Sequence, residues 1–454
     1  MTLNVPLRPK GRLVACAAVA VLGVLASSQV SAQVEGLPTI PGFNPPALAP
    51  TSPAVTFDQT GPVAVQERTR PDLDPPGLRL GVFRVFPSLK ETTSYDSNIF
   101  AESGSSNSSQ GVVFRSRPEV KVDNGPGPSI RTLNFDLYVD DAQYIGHNSL
   151  SNDNVVTSLA LGSEFGRDTR ARSLTGFSYA HQDPSGFALN TPNVKIKTLP
   201  VLTTFSQDLG VTHDFGGVAT VALDGGYQRL DYENIQATDG TVINQTLLNS
   251  NAFHIAPKFS YNLTPVLRPY VKAGYVRTDY DSNAFNSNEY ALVAGADFEF
   301  RRLIRGTAFV GYRDREFDKG ANPTAAGVTY GINLNWFPTE LLTVSAQGLQ
   351  NFSDSLATSG GGLHSVVDVK TFSLSADYEV LRNVIVSALA AVEDDSYLST
   401  TREDKVYSAG TGLRYLISRQ WEASAQYQFS TRSTNTAGFG YDRSLVSAAV
   451  KLSF

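Results

Sequence analysis

The sequence predicts an all-β protein: a single-chain antiparallel transmembrane β-barrel of about 18 strands, with 16 also possible, preceded by a signal peptide and a Pro-rich periplasmic segment. Three observations support this prediction. Polar and apolar residues alternate along most of the chain, short and long connections alternate between the segments, and the first residues resemble an export signal. Tyr (19) and Phe (25) far outnumber Trp (2) and Met (1), and aromatic residues suit a pleated sheet.

The chain begins with the organisation of a secretory signal peptide. Three cations between Arg8 and Arg12 precede the apolar run Leu13–Ala26, and Val30-Ser31-Ala32 offers small residues to signal peptidase. A membrane-spanning helix is the alternative, but the run is shorter than the roughly 20 apolar residues that cross a bilayer. We therefore expect residues 1–32 to be removed by cleavage after Ala32.

The mature chain is acidic and lacks cysteine. Cys16 could mark a lipoprotein acylation site, but most of the apolar run follows it, so we expect it to be removed with the signal. No thiol then remains for a disulfide, a metal site or a nucleophile. The mature chain keeps 34 cations against 43 acids, a net charge of about −9, which argues against a nucleic-acid partner.

Residues 33–77 form a Pro-rich segment with little apolar periodicity. Prolines cluster at Pro38-Thr39-Ile40-Pro41 and Asn44-Pro45-Pro46, a composition typical of an extended linker. We expect a periplasmic linker over 33–77, either a plain spacer or a tether that docks on a partner. The barrel should then occupy 78–454.

After Gly77, segments of about ten to sixteen residues alternate apolar with polar residues. Over Tyr290–Phe300 the even-numbered residues are apolar or small, and Val328–Trp336 and Ala423–Phe429 divide in the same way. Successive side chains on a strand point to opposite faces, so each segment has one apolar and one polar face. A soluble sandwich also alternates, but long strands with aromatic residues near their ends are typical of a transmembrane barrel.

Connection lengths also alternate. Short turns are predicted at Asn124-Gly125-Pro126, Gly166-Arg167-Asp168, Gly216-Gly217, Leu263-Thr264-Pro265, Arg302-Leu303, Pro338-Thr339-Glu340, Arg382-Asn383 and Arg419-Gln420. Longer polar connections are predicted at Glu102–Gln110, Pro184–Pro200, Gln236–Thr246, Gly320–Ala325, Ser353–His364 and Ser433–Tyr441. Tight periplasmic turns and larger extracellular loops are the outer-membrane pattern, and the hairpins plus a first and a last strand give about 18 strands.

The last strand ends on an aromatic residue. Val450, Leu452 and Phe454 continue an apolar alternation that begins at Val446. This ending is similar to the C-terminal signal that the barrel-assembly machinery reads. We therefore predict an assembly signal at these three residues, and that machinery and the outer-membrane lipids as partners.

A barrel of about 18 strands is too wide to be filled by side chains and can leave an aqueous channel, so transport is the expected function. The alternation predicts charged residues of both signs on the lumen face: Lys272, Asp297, Glu299, Arg301, Arg313, Glu379, Arg414, Glu422 and Arg432. This mixture does not assign an ion selectivity. Asn, Gln, Ser and Tyr would also suit carbohydrate, although a lumen that is polar only because it is wet explains the same residues.

The connection Pro184–Pro200 has two interpretations. It could fold inward as a constriction, with Lys195 and Lys197 as its basic elements, or it could be an ordinary extracellular loop.

The sequence predicts no catalytic, cofactor or metal residues. His213-Asp214 is the one adjacent imidazole and carboxylate pair, and neighbours on a strand point to opposite faces, so they would not form a base and its orienting group. The chain also lacks a G-x-S-x-G elbow, an H-E-x-x-H helix and a Gly-rich phosphate loop. We therefore expect no enzyme activity.

The start of the predicted barrel resembles a known family. Arg70–Phe83 reads RPDLDPPGLRLGVF, and Phe86-Pro87-Ser88-Leu89 and Tyr95-Asp96-Ser97-Asn98-Ile99-Phe100 follow it. This run resembles the opening segment of the second family of bacterial outer-membrane β-barrel porins. Beyond Phe100, strand pattern and length agree through Phe454. Members are often associated with exopolysaccharide export, so the resemblance implies a polymer conduit, with periplasmic polysaccharide-export proteins as partners.

Two functions remain open at this point. One is a pore or polysaccharide conduit, and the other is a structural or adhesive barrel with a plugged lumen and no transport. The family supplies no ligand residues, and within the shared run Asp74, Arg79 and Asn98 could pin the chain at the periplasmic mouth and the first loop.

Overall fold

The protein folds as a closed antiparallel β-barrel of 18 strands. The computed structural model describes residues 62–104, 109–124, 131–182, 196–283, 285–318, 325–355 and 365–454. Its strands are β1 (Leu78–Leu80), β2 (Phe83–Asp96), β3 (Gly111–Asp123), β4 (Arg131–Ile145), β5 (Asn152–Phe165), β6 (Thr169–His181), β7 (Val201–Phe215), β8 (Ala219–Tyr232), β9 (Ile235–Gln236), β10 (Val242–Ile243), β11 (Ser250–Tyr261), β12 (Leu267–Tyr280), β13 (Ser287–Phe300), β14 (Ile304–Phe317), β15 (Ala325–Thr339), β16 (Leu342–Ser355), β17 (Ser365–Leu381), β18 (Val384–Tyr397), β19 (Glu403–Leu416), β20 (Trp421–Thr434) and β21 (Tyr441–Ser453). Two 3-10 helices cover Asn148–Leu150 and Thr246–Leu248. Within these described ranges, no helix is long and apolar enough to cross a membrane.

The barrel wall consists of β2–β8 and β11–β21, and its last strand closes on its first. β21 pairs with β2 from Ser453 opposite Ser88 to Leu445 opposite Asp96. Closure satisfies the backbone groups that an open sheet would leave at its edges. β1 forms a short hairpin with the start of β2, and β9 pairs with β10 in a separate ribbon. The predicted fold class and strand number are confirmed.

Tight turns join the strands at one end of the barrel, which we call the turn side, and the other end is the loop side. Gly216 and Gly217, between β7 and β8, have φ of 63° and 77°, a left-handed backbone that glycine adopts without strain. The turn predicted at Pro338-Thr339-Glu340 is displaced, because β15 continues to Thr339. On the loop side, the connections 281–286 and 398–402 have six and five residues, close to the five residues of 262–266 on the turn side, so the lengths alternate less strictly than the sequence suggests.

The outward face carries the apolar residues that the alternation predicts. On β13, Tyr290 is 50% and Leu292 60% exposed, whereas Ala291, Val293 and Asp297 are buried. Exposed Tyr, Phe, Leu and Val continue this band on the other wall strands. We call the opposite face, which lines the interior, the inner wall. The predicted signal peptide and the first part of the predicted linker lie outside the described residues.

Candidate functional site: the inner wall of the barrel

The structure places eight of the nine predicted lumen residues on inner-wall strand positions. They are Lys272 on β12, Asp297 and Glu299 on β13, Arg313 on β14, Glu379 on β17, Arg414 on β19, and Glu422 and Arg432 on β20. Arg301 lies outside the strands. β13 ends at Phe300, and Arg301 lies exposed in the following turn with φ of 51°. The chain leaves the ladder there, so the alternation no longer determines where the side chain points.

Charged side chains of the inner wall pair laterally with one another. Lys258 Nζ lies 3.1 Å from Asp297 Oδ2. Arg414 Nη2 lies 2.7 Å from Glu422 Oε2 on the next strand. Arg313, which is 1% exposed, has its Nε 3.4 Å from Glu289 Oε1 and also binds the Asn351 side chain. These pairs keep opposite charges together along the wall, although Lys272 lies directly across from Lys258 in the ladder.

Glycines on the inner wall make room for such pairs to lie flat. Arg172 on β6, Gly210 on β7 and Asp224 on β8 are directly in register, and Arg172 Nη2 reaches 2.6 Å from Asp224 Oδ1 across the intervening strand. A Cβ at Gly210 would lie 2.5 Å from Arg172 Nε and 2.6 Å from Asp224 Oδ1. The pair therefore needs glycine beneath it.

Glycine also makes room for a large side chain at two further rows. Gly226 lies in register between Asp208 and His254, whose Nε2 lies 3.2 Å from Asp208 Oδ1. At the second row, Gly295 accommodates the Tyr270 ring, and Lys258 Nζ lies 3.8 Å from the centre of that ring. We call these sites glycine rows. Because large side chains lie along the wall instead of projecting from it, the rows preserve space in the lumen.

Loops fold onto the inner wall at the loop side. Ile99, Leu150, Leu199 and Ile235 are buried in one cluster with three inner-wall residues, Val113, Ala142 and Tyr144. Lys197 donates its backbone N–H to Gln236 O at 2.8 Å. Of the connection 184–200, Lys195 and most of the loop lie outside the described residues. Its last residues, 196–200, pack with the loops of this cluster.

The segment before the barrel docks on the inner wall at the turn side. Val65 is 0% exposed and donates its N–H to Thr343 Oγ1 at 3.0 Å. Burial raises the pKa of the Glu67 carboxyl above its ordinary value, and attraction by Arg305 opposes this rise. We call residues 62–74 the docked segment. This part of the predicted linker is therefore held against the barrel, unlike a free spacer.

A buried ion pair fastens the first strand to the last at the loop side. Arg443 on β21 donates Nη2 to Asp96 Oδ2 at 2.6 Å and Nε to both carboxylate oxygens at 3.1 and 3.0 Å. Asn98 donates to the Asp442 carbonyl at 3.1 Å, so it joins the first loop to β21. Of the other two residues in the resembling run, Asp74 accepts the Arg70 N–H, and Arg79 lies exposed on β1 opposite Arg84.

The chain ends beside this seam at the turn side. Phe454 N donates to Pro87 O at 3.1 Å, and its side chain is 44% exposed. Val450 is outward and exposed as well, while Leu452 is half-buried. The three predicted signal residues therefore lie on the strand that closes the barrel, against β2.

No catalytic arrangement is present at the histidine that the sequence singles out. His213 Nδ1 lies 2.8 Å from Thr169 Oγ1, and the Asp214 carboxylate accepts the Gly217 N–H instead of facing the imidazole. In the part of the chain that the structure describes, no cluster of His, Cys, Asp and Glu could hold a metal ion.

Sequence reasoning missed the glycine rows and the contacts of the docked segment. The rows depend on register across three strands, which a single sequence does not give. Arg70 lies at the start of the resembling run, but its partner Glu379 is 309 residues away. Only the position of Arg70 in that run could have drawn attention to it.

An even-stranded closed barrel with an apolar outer band and a polar inner wall has the architecture of an outer-membrane channel. The chain belongs to the family described as "Putative beta-barrel porin 2", whose model matches residues 70–454. It is thus a porin-like outer-membrane barrel channel, and the predicted family is confirmed. In such barrels the tight turns face the periplasm, so the turn side is periplasmic and the loop side extracellular.

The chain also aligns with solved structures at low sequence identity. OccAB4 of Acinetobacter baumannii aligns with 10% identity and a TM-score of 0.43, covering 82% of this chain and 98% of that one. OpdK of Pseudomonas aeruginosa gives 10% and 0.42, covering 82% and 99%. OccK9 (OpdG) of the same organism gives 12% and 0.44, covering 82% and 98%. No curated protein matches the chain.

Proposed function

We propose that this porin-like channel is a conduit for carbohydrate chains and serves the export of exopolysaccharide. The observation that supports this cargo is the lateral pairing of wall charges. Arg172 pairs with Asp224, Lys258 with Asp297, and Arg414 with Glu422. Paired charges exert little net pull on a passing ion, whereas their oxygens and nitrogens still offer hydrogen bonds to hydroxyl groups.

The shape of the wall supports a polymer as cargo. Side chains that lie flat over glycine, such as Arg172 over Gly210 and Tyr270 over Gly295, leave room along the axis. Aromatic faces beside polar groups suit sugar rings, whose faces are apolar and whose edges carry hydroxyls. The resemblance to a family associated with exopolysaccharide export supplies the direction of transport. Periplasmic polysaccharide-export proteins would then be partners at the turn side.

Reconstituted protein tests the channel and its cargo separately. In planar bilayers under a salt gradient, we expect conductance with a reversal potential near zero. Liposome swelling should show entry of neutral oligosaccharides at rates similar to those of uronic-acid oligosaccharides of equal length. A strong preference for cations or for anions would contradict this cargo. The same holds if the channel excludes neutral sugars but admits charged sugars that are larger.

Deletion of the gene in its native host tests the export role. We expect loss of secreted polymer and accumulation of polymer in the periplasm, with restoration by the wild-type gene. Unchanged secretion with altered uptake of small sugars would instead indicate a general porin.

A second function is favoured by one observation. The docked segment occupies the wall at the turn side, and the apolar cluster around Ile99 occupies it at the loop side. If these parts obstruct the lumen permanently, the protein is a structural or adhesive barrel without transport. That function predicts no conductance in planar bilayers and unchanged permeability on deletion.

A further inference from the structure

The docked segment binds a specific site on the inner wall. The Gln66 side-chain amide contacts three neighbouring strands: its Nε2 donates to Asp377 Oδ1 at 2.9 Å and Ser387 Oγ at 3.2 Å, and its Oε1 accepts from Arg414 Nη1 at 3.2 Å. With Val65 bound to Thr343 on β16, the segment spans β16 to β19. Both the backbone and the side chains of the segment form hydrogen bonds to the wall, so the segment is bound at specific positions.

One wall carboxylate holds two arginines of the segment. Glu379 Oε2 lies 2.9 Å from Arg68 Nη1 and 2.8 Å from Arg70 Nη2, and the Glu379 side chain is 8% exposed. Arg70 is 3% exposed and also donates to Val65 O at 3.0 Å and Arg382 O at 3.2 Å. Arg70 therefore ties the segment to itself and to the wall, and Glu379 anchors the whole arrangement.

The site lies at the periplasmic mouth. Thr343 is the second residue of β16, Ser387 is the fourth of β18, and Glu379 lies two residues before the end of β17. The segment contacts four adjacent strands of the wall, β16 to β19, and therefore covers part of the opening on this side of the barrel.

We propose that the docked segment is an intrachain gate, which narrows the periplasmic mouth when bound at Glu379 and opens the channel when released. Polar contacts hold it, and a tethered segment can detach without disturbing the β-ladder of the wall. The proposal rests on the channel function stated above, and it assigns a second role to wall residues Asp377, Glu379 and Ser387: they bind this chain's own segment.

Glu379→Gln is the central test, made in the full mature protein. The change keeps the shape of the side chain and removes the charge that holds both arginines. Release of the segment from the mouth should raise single-channel conductance and lengthen the time spent in the open level. Glu119→Gln is the matched control, because Glu119 is a half-buried wall glutamate on β3 that pairs with Lys121 and Lys451, away from the docking site in the ring of strands. It should leave the fraction of time in the open level unchanged.

A disulfide provides the opposite perturbation. The mature chain has no cysteine of its own, so Val65→Cys with Thr343→Cys introduces one pair at a position where the two residues touch. Oxidation should hold conductance at its lowest level, and a reductant should restore the wild-type level. Introducing Glu379→Gln into this pair should lower the cross-linking yield, whereas Glu119→Gln should not.

The outcomes separate the gate from the channel. Equal conductance in wild type, Glu379→Gln and the oxidised pair overturns the gate but leaves the channel function standing. An absence of conductance in every variant overturns the channel function. If no variant conducts, the cross-linking yield alone tests the gate. A yield that Glu379→Gln leaves unchanged overturns the gate, and a yield that Glu379→Gln lowers supports a releasable segment.

Discussion

The seam between the first and last strands should be a sensitive point of barrel stability, because it holds a buried ion pair. Asp96→Ala leaves the Arg443 guanidinium without its main anionic partner, in a site where the two side chains are 4% and 10% exposed. Removal of one member of a buried pair costs about 3–5 kcal/mol, because the remaining charge is not solvated. Since about 1.4 kcal/mol is a tenfold change, the folding equilibrium should shift on the order of a hundred- to several-thousand-fold.

The matched control is Asp123→Ala, which breaks a pair of similar geometry at the turn side of the same strand. Arg84 Nη2 lies 2.7 Å from Asp123 Oδ2, but the two side chains are 31% and 27% exposed. Water solvates the remaining charge there, so the expected loss is below about 1 kcal/mol.

The assay is urea unfolding of each purified variant in detergent micelles, followed by loss of the heat-modifiable gel band. Asp96→Leu with Arg443→Leu should recover much of the stability lost in Asp96→Ala, because no charge is then left buried. Equal destabilisation by Asp96→Ala and Asp123→Ala would refute the reasoning that burial of the seam pair determines its contribution.

Three further predictions follow from individual residues. Gly210→Val should displace the Arg172–Asp224 pair toward the barrel axis and cost about 1–3 kcal/mol of stability. If its urea midpoint and its conductance equal those of wild type, the wall has room for the valine side chain and the prediction is wrong. Glu67→Gln should increase docking at neutral pH. The raised pKa of Glu67 means that its contribution to docking is full at low pH and is lost as pH rises through that pKa. The cross-linking yield of the Val65→Cys and Thr343→Cys pair should therefore be higher with Glu67→Gln than with Glu67 at pH 7, and the two yields should converge in acid. Deletion of Phe454 should impair outer-membrane insertion while secretion to the periplasm continues, as measured by membrane fractionation, and normal insertion would count against the assembly signal.

The sequence predicts the barrel well because the alternation of side chains along a strand depends only on neighbouring residues. Side chains on a strand alternate between lipid and lumen, and segments such as Tyr290–Phe300 record this period directly. Arg301 continues the alternation of polar and apolar residues, yet it lies in a turn with left-handed backbone. A polar residue suits a turn and a water-facing wall equally, so its type does not distinguish the two. Alternation therefore identifies strands more reliably than it locates their ends.

The site is less predictable because its contacts are long-range. The Pro-rich composition before Gly77 indicates extended chain but does not say where that chain lies. Nothing local marks Glu379 as the partner of Arg68 and Arg70, because other wall carboxylates, such as Asp297 and Asp377, also lie between apolar or small residues of a strand. Binding of the segment depends on the closed barrel, which brings β17 to the position where residues 62–74 enter.

Substitutions at the glycine rows can change the width of the lumen without changing the lipid-facing surface of the barrel. Gly210, Gly226 and Gly295 all lie on the inner wall. The atoms nearest to a Cβ at Gly210 belong to the Arg172 and Asp224 side chains, so a substitution there can lift them off the wall while the strands keep their register. A Cβ at Gly226 or Gly295 would also meet a backbone carbonyl of the neighbouring strand. The fold can thus acquire different cargo preferences through changes at a few backbone positions, separately from the requirements of insertion.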